Sequence, residues 1–208
     1  VGKINHDLRN ILSTAVLVSD RLAHSDDPEV KRETPALMRA IDRAVALCED
    51  TLSFVSAGGP QPRTVPVDLP ALIDDVEGAL ALPADGAIAW HNAVAKGFTV
   101  TADRDQLFRV LLNLGRNAIE AMRGSGEIRV NARRDGRAAV IEVTDSGPGL
   151  PPQAREHLFE PFSGSARQGG TGLGLPIARE IMRAHGGELS LAKSDEAGTI
   201  FRLDLPMD

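Results

Sequence analysis

The chain has 208 residues, room for one ordinary domain and a smaller element, and its apolar fraction of 42% supports a packed core. A formal net charge of −6 argues against a nucleic-acid partner, because a phosphate-binding face needs a basic excess. The single cysteine, Cys48, excludes an intramolecular disulfide and fits a reducing, cytoplasmic setting, while no apolar run reaches the roughly 18–20 residues of a bilayer span, so no membrane contact is expected within this stretch.

Residues 1–56 read as two helices. In the first, Ile4, Leu8, Ile11, Ala15, Val18 and Leu22 step by four and three, a heptad seam. Ser25-Asp26-Asp27-Pro28 interrupts it. In the second, Leu37, Ile41, Ala44, Cys48, Thr51 and Val55 repeat the step, and Pro35 behind Thr34 suggests a first-turn proline after an N-cap. Two single-stripe helices cannot bury both stripes alone. Pairing with a second copy would make a four-helix bundle, so a homodimer through residues 1–56 is expected. The first seam starts directly at the beginning of the chain and there is no signal peptide, which leads us to expect a sensory or membrane region upstream.

Residues 57–70 are rich in glycine and proline, and we place a linker at 57–65 and a second domain at 66–208. A helix is expected around 70–82, then short strands near 87–91 and 97–101. A strong amphipathic helix follows at 103–123, with Leu107, Val110, Leu111, Leu114, Ala118 and Ile119 on its apolar side. Strands at 127–133 and 138–144 flank Asp135-Gly136, a hairpin signal. A loop-rich stretch leads to a helix near 174–185, and a last hairpin covers 187–193 and 198–205. Hairpin strands with grouped helices predict an α+β fold: a helical hairpin followed by an α/β sandwich.

Two glycine runs carry the first chemical signal. Asp145-Ser146-Gly147-Pro148-Gly149 follows an apolar strand, and Gly169-Gly170-Thr171-Gly172-Leu173-Gly174 opens a helix. Glycine lets backbone N–H groups approach a ligand, and a helix N-terminus favours phosphate. Asn113 and Asn117 lie one turn apart on one face of the 103–123 helix. Asparagine is a poor mid-helix residue, and its side-chain carbonyl is a hard oxygen donor suited to Mg2+.

Together these residues resemble the catalytic core of bacterial two-component sensor histidine kinases. Asn113-Leu-Gly-Arg-Asn117 looks like the N box of that family's ATPase fold, Asp145-Ser-Gly-Pro-Gly149 its G1 box, Phe159-Glu-Pro-Phe162 its F box and Gly170-Thr-Gly-Leu-Gly174 its G2 box. His6-Asp-Leu-Arg-Asn10 looks like the H box of the preceding dimerisation helix. The boxes follow the family's order, and the resemblance covers essentially the whole chain.

The resemblance implies an ATP- and Mg2+-dependent protein-histidine kinase. His6 would be the phosphoacceptor; it falls on the helix side away from the Ile4/Leu8 seam, and Asp7 beside it would orient the ring. Asn10 shares the exposed face with His6 and would serve phosphate removal from the partner, the receiver domain of a response regulator. Asn117 would coordinate Mg2+, with Asn113 beside the phosphates. Asp145 would accept from the adenine amino group, and Gly147 and Gly149 would turn the chain under the base. Residues 163–171 would form the ATP lid, with Arg167, Gly170, Thr171, Gly172, Leu173 and Gly174 around the triphosphate. Two features depart from the family: Ile11 stands after the H box, where many members have Pro, and the lid is short.

The rival readings are a degenerate phosphotransfer or scaffold protein that keeps the fold without binding ATP, and another ATPase of the superfamily. Intact Asn117, Asp145 and Gly174 speak against the first, and the His-bearing hairpin against the second. Trp90 and His91 read as structural residues of a short strand, Cys48 as packing. His157 and His185 lack partners at metal-ligand spacing.

Overall fold

The computed structural model describes residues 27, 30, 32, 34, 35, 61–80, 82, 83, 86–122, 124–161, 163 and 172–207. The expected hairpin lies outside these, apart from Asp27, Val30, Arg32, Thr34 and Pro35. Val30, Arg32, Thr34 and Pro35 are helical. The Thr34 hydroxyl donates to the Val30 carbonyl at 2.7 Å, bonding back along the helix. Thr34 is therefore an interior helical residue and not the N-cap its position before Pro35 suggested, because a cap accepts from the turn ahead of it.

The Gly/Pro-rich stretch ends in a strand rather than running loose to residue 70. Strand β1 (Val65–Asp68) pairs antiparallel with β3 (Thr99–Ala102), Val67 opposite Val100. Asp68 then caps helix α1 (Leu69–Ala79): its Oδ1 accepts from the Ala71 N–H at 3.1 Å, and Pro70 sits in the first turn, where no donor is missed. Leu69, Leu72, Ile73 and Val76 form the buried stripe of α1.

Helix α2 (Arg104–Met122) follows β3 directly. Asp103 caps it, accepting from the Gln106 N–H at 3.2 Å. The apolar stripe buries Leu107, Val110, Leu111, Leu114, Gly115, Ala118 and Met122. Strands β2 (Ile88–Asn92), β4 (Gly126–Asp135), β5 (Ala138–Asp145), β6 (Glu188–Asp195) and β7 (Gly198–Pro206) build a five-stranded sheet in the order β2-β4-β5-β7-β6. All neighbours are antiparallel except β2 and β4, which are parallel because the β3–α2 crossover joins them. The β4–β5 turn is Gly136-Arg137, with Gly136 at φ +59°.

One face of the sheet supplies Ile128, Val130, Ile141, Val143, Leu189, Phe201, Leu203 and Leu205 to a single core shared with α1, α2 and α4 (Gly174–Ala184). This is a two-layer α/β sandwich. A one-turn helix, α3 (Pro152–Glu156), buries nothing and was not foreseen. Among the described residues, no helix is long and apolar enough to cross a membrane.

Candidate functional site

Helix α2 lays three residues of one face, each a turn apart, between the two glycine loops. Asn113 lies at one end: its Nδ2 donates to the Gly174 carbonyl at 3.2 Å, tying α2 to the first turn of α4. Ala121 lies at the other: a side chain on Gly147 would come within 3.4 Å of its Cβ. Asn117 sits between them. Its Nδ2 is buried and has no hydrogen-bond partner among the described residues. Leaving a buried donor unmade costs about 1–3 kcal/mol, so the amide waits for an acceptor. The two ends of the amide are nearly isosteric, and the same position can present Oδ1 to a cation instead.

The loop that follows β5 is held through its own backbone N–H groups and three short side chains. Asp145 closes the strand at 5% exposure, and its Oδ1 accepts from the Gly147 N–H at 2.8 Å. Ser146 is pinned to the start of β4 twice: its N–H donates to the Glu127 carbonyl at 3.1 Å, and its hydroxyl accepts from the Glu127 N–H at 2.9 Å. Gly149 has φ +73° and backs directly onto the Asp195 carbonyl, where a Cβ would collide. Beyond it, the Leu150 N–H donates to the Ser194 hydroxyl at 2.7 Å, and that hydroxyl lies 3.4 Å from Thr199 Oγ1. The loop is thus clamped between β4 and the β6–β7 hairpin. Ser146, Ser194 and Thr199 were not foreseen: the first two act on main-chain N–H groups far away in sequence, and Thr199 acts through Ser194.

The opposite rim is more open. Gly172 has φ +68°, and Leu173 precedes α4 without a side-chain cap; Pro176 has no N–H and the Ile177 N–H donates to the Leu173 carbonyl, so Gly174 and Leu175 carry the first-turn N–H groups that no helical carbonyl takes up. A Cβ on Gly174 would meet nothing closer than 3.8 Å. Phe159, on the near side of the expected lid, packs under the Arg179 guanidinium, 4.6 Å from its ring centre. Arg179 Nε also donates to Glu188 at 2.6 Å, and Arg183 Nε to the same carboxylate at 3.2 Å. Burial alone would raise the Glu188 carboxyl, but the two arginines outweigh it and hold it below the usual carboxylate value.

The structure therefore brings Asn113, Asn117, Asp145, Gly147, Gly149, Gly172, Leu173 and Gly174 to one cleft edge. His6, Asp7, Asn10, Arg167, Gly170 and Thr171 lie outside the described residues. Trp90 and His91 are in strand β2. His157 lies beside Glu160, which raises its pKa, and His185 bridges two helices. No group of metal-binding side chains occurs among the described residues, so a cation here would depend on Asn117 together with a ligand's own oxygens.

A family model described as "Histidine kinase-, DNA gyrase B-, and HSP90-like ATPase" matches residues 102–208, just over half the chain. The chain is 30% identical to the sensory histidine kinase/phosphatase NtrB of Rhodobacter capsulatus, over 97% of this chain and 60% of that protein. It is 39% identical to the sensor histidine kinase ZraS of Escherichia coli, over 99% of this chain and 44% of that one. The crystal structure of full-length ShkA in complex with AMPPNP superposes with a TM-score of 0.80 at 27% identity, over 99% of this chain and 45% of that one. The chain thus spans between about two fifths and three fifths of these relatives. It belongs to the histidine kinase-, DNA gyrase B- and HSP90-like ATPase family, as the ATPase core of a two-component histidine kinase.

Proposed function

We propose that the chain binds Mg·ATP in the cleft along α2, phosphorylates its own His6 and passes the phosphoryl group to an aspartate of a response-regulator receiver domain. The observation that carries the reading is the buried, unpartnered Asn117 amide, set between the uncapped first turn of α4 and the Gly147–Gly149 loop. A phosphate oxygen would accept from that N–H, or the amide turned about would present Oδ1 to a cation; no partner occurs among the described residues. Mg2+ bound there would neutralise phosphate charge and favour a leaving diphosphate.

The chain's own residues do the rest. The α4 first turn offers N–H groups to phosphate oxygens, and the Asn113 tie keeps that turn beside Asn117. The Asp145 carboxylate, already fixed through Oδ1, faces a purine amino donor that guanine lacks at the same position. The neutral His6 nitrogen forms an N–P bond to the γ-phosphorus as the bond to ADP breaks, and the Asp7 carboxylate balances the positive ring. Asn10, one turn from His6, aligns a water on the regulator's aspartyl phosphate; the kinase/phosphatase name of NtrB supports that second activity. A homodimer through residues 1–56 brings the hairpins together.

Incubation with γ-labelled ATP tests the reading. Acid-labile, base-stable label is expected on the parent, none on His6→Gln, and ATP affinity of that variant within about twofold of the parent. Asn10→Ala keeps the label but loses most phosphate removal from the regulator. Label that persists in His6→Gln places the acceptor elsewhere.

A further inference from the structure

Helices α2 and α4 run side by side and are braced twice, once at each end of α4. At the nucleotide end Asn113 Nδ2 donates to the Gly174 carbonyl. At the far end the Asp103 N–H donates to His185 Nε2 at 3.0 Å, across 82 residues of sequence. His185 is held rigidly for this. It closes α4 in a Schellman turn: the Gly187 N–H donates to the Met182 carbonyl and the Gly186 N–H to the Arg183 carbonyl, both at 2.9 Å, with Gly186 at φ +73°. Its Nδ1 lies 2.8 Å from the Ile181 carbonyl, which needs a donor, so Nδ1 carries the proton and Nε2 the lone pair.

Asp103 has a place for a different partner. A Gln three residues after an N-cap ordinarily reaches back to the cap's N–H. Here Gln106 turns its amide to Asp103 Oδ2 instead, at 3.4 Å, and leaves the N–H to His185. The same Oδ2 accepts from the Arg63 N–H at 3.1 Å. Arg63 lies two residues before β1, in the segment that leads in from residues 1–56. Three pieces of chain therefore meet on one residue: the incoming segment, the cap of the helix carrying Asn113 and Asn117, and the end of the helix whose other end opens on the second glycine loop.

We propose that His185 and Asp103 are positioning residues that couple nucleotide binding at the Gly174 end of α4 to the seating of the incoming segment at Arg63. The coupling rests on the nucleotide site proposed above. Ordering the first turn of α4 steadies the helix as a rod; its far end holds the Asp103 N–H more firmly; Asp103 in turn holds Arg63. By linkage, seating of that segment tightens nucleotide binding by the same factor. Neither residue touches the nucleotide.

Amide hydrogen exchange at Arg63 in the full chain, with and without Mg2+ and AMPPNP, tests this, with nucleotide affinity measured on the same samples. Saturating AMPPNP is expected to slow Arg63 exchange about fivefold in the parent. The slowing disappears in His185→Leu and returns in His185→Gln, whose amide oxygen can accept from the Asp103 N–H. Asp103→Asn keeps an oxygen to cap α2 but loses the acceptor for Arg63. It abolishes the slowing in a folded chain and decides the matter should His185→Leu fail to fold. If AMPPNP binds the parent without altering Arg63 exchange, or the slowing survives in Asp103→Asn, the coupling is wrong and the nucleotide site stands. If AMPPNP does not bind the parent at all, the site falls and the coupling with it.

Discussion

The two glycine loops of the cleft are built on opposite plans. The loop at Asp145–Leu150 is locked on both sides: Ser146 on Glu127, Gly149 against the Asp195 carbonyl, Leu150 on the Ser194 hydroxyl. Where the described residues enter α4, the Asn113 amide holds the Gly174 carbonyl, and a Cβ on Gly174 would meet nothing closer than 3.8 Å. A base is flat and of constant shape, so a rigid floor suits it. A triphosphate that must be bound, cut and released is better met by an end that can adjust. The contrast teaches that glycine serves two purposes in one cleft: close approach that admits no Cβ in the first loop, and freedom in the second.

Substitutions can break or sharpen the contrast. Gly149→Ala forces a Cβ into the Asp195 carbonyl at positive φ and should cost about 2–3 kcal/mol, read as a lowered thermal midpoint. Gly174→Ala makes only ordinary contact with Asn113 and should leave stability within about 0.5 kcal/mol while weakening ATP binding. Equal losses of stability at both positions would erase the distinction. Asn113→Ala removes the amide bond to the start of α4 and should cost about 1 kcal/mol, with a larger loss in nucleotide affinity than in stability.

The smallest effect concerns Glu188, which anchors Arg179 over Phe159. Its carboxyl is held below the ordinary value, so its contribution is present above the unfolded value of about 4.3 and is lost as pH falls through the lower folded value. Its side chain is 41% exposed, so solvent screens the pair, and Glu188→Gln should cost only a few tenths of a kcal/mol at neutral pH. Acid melts should show a shallower loss of stability below about pH 4 in the variant than in the parent. Parallel acid curves would remove Glu188 from the acid response.

Much of this architecture was legible in the residues. The 103–123 periodicity placed α2 within a residue at each end, and Asp135-Gly136 located the β4–β5 turn. Strand β1 was hidden because Val65-Pro66-Val67-Asp68 is short, carries a proline and gains its order only from β3, more than thirty residues on. The cleft residues were legible as motifs, since Asn113, Asn117, Asp145 and the glycines stand in compact runs. The supports were not. Ser146 and Ser194 take main-chain N–H groups from far along the chain, and Thr199 meets Ser194 across the β6–β7 hairpin. His185 was read only as lacking partners at metal-ligand spacing, because its partner is a main-chain N–H, which has no side-chain signature.

The central claim is that the Asn117 amide is kept for a ligand and not for the fold. Thermal unfolding of parent and Asn117→Ala, each with and without Mg2+ and ATP, tests it most directly. Removing a buried donor that has no partner should leave the ligand-free midpoint unchanged or slightly raised. The rise in midpoint on adding Mg2+ with ATP, present in the parent, should disappear in the variant, whereas ATP in excess chelator should stabilise both alike. A ligand-free midpoint lowered by several degrees together with an undiminished Mg·ATP rise would contradict the account.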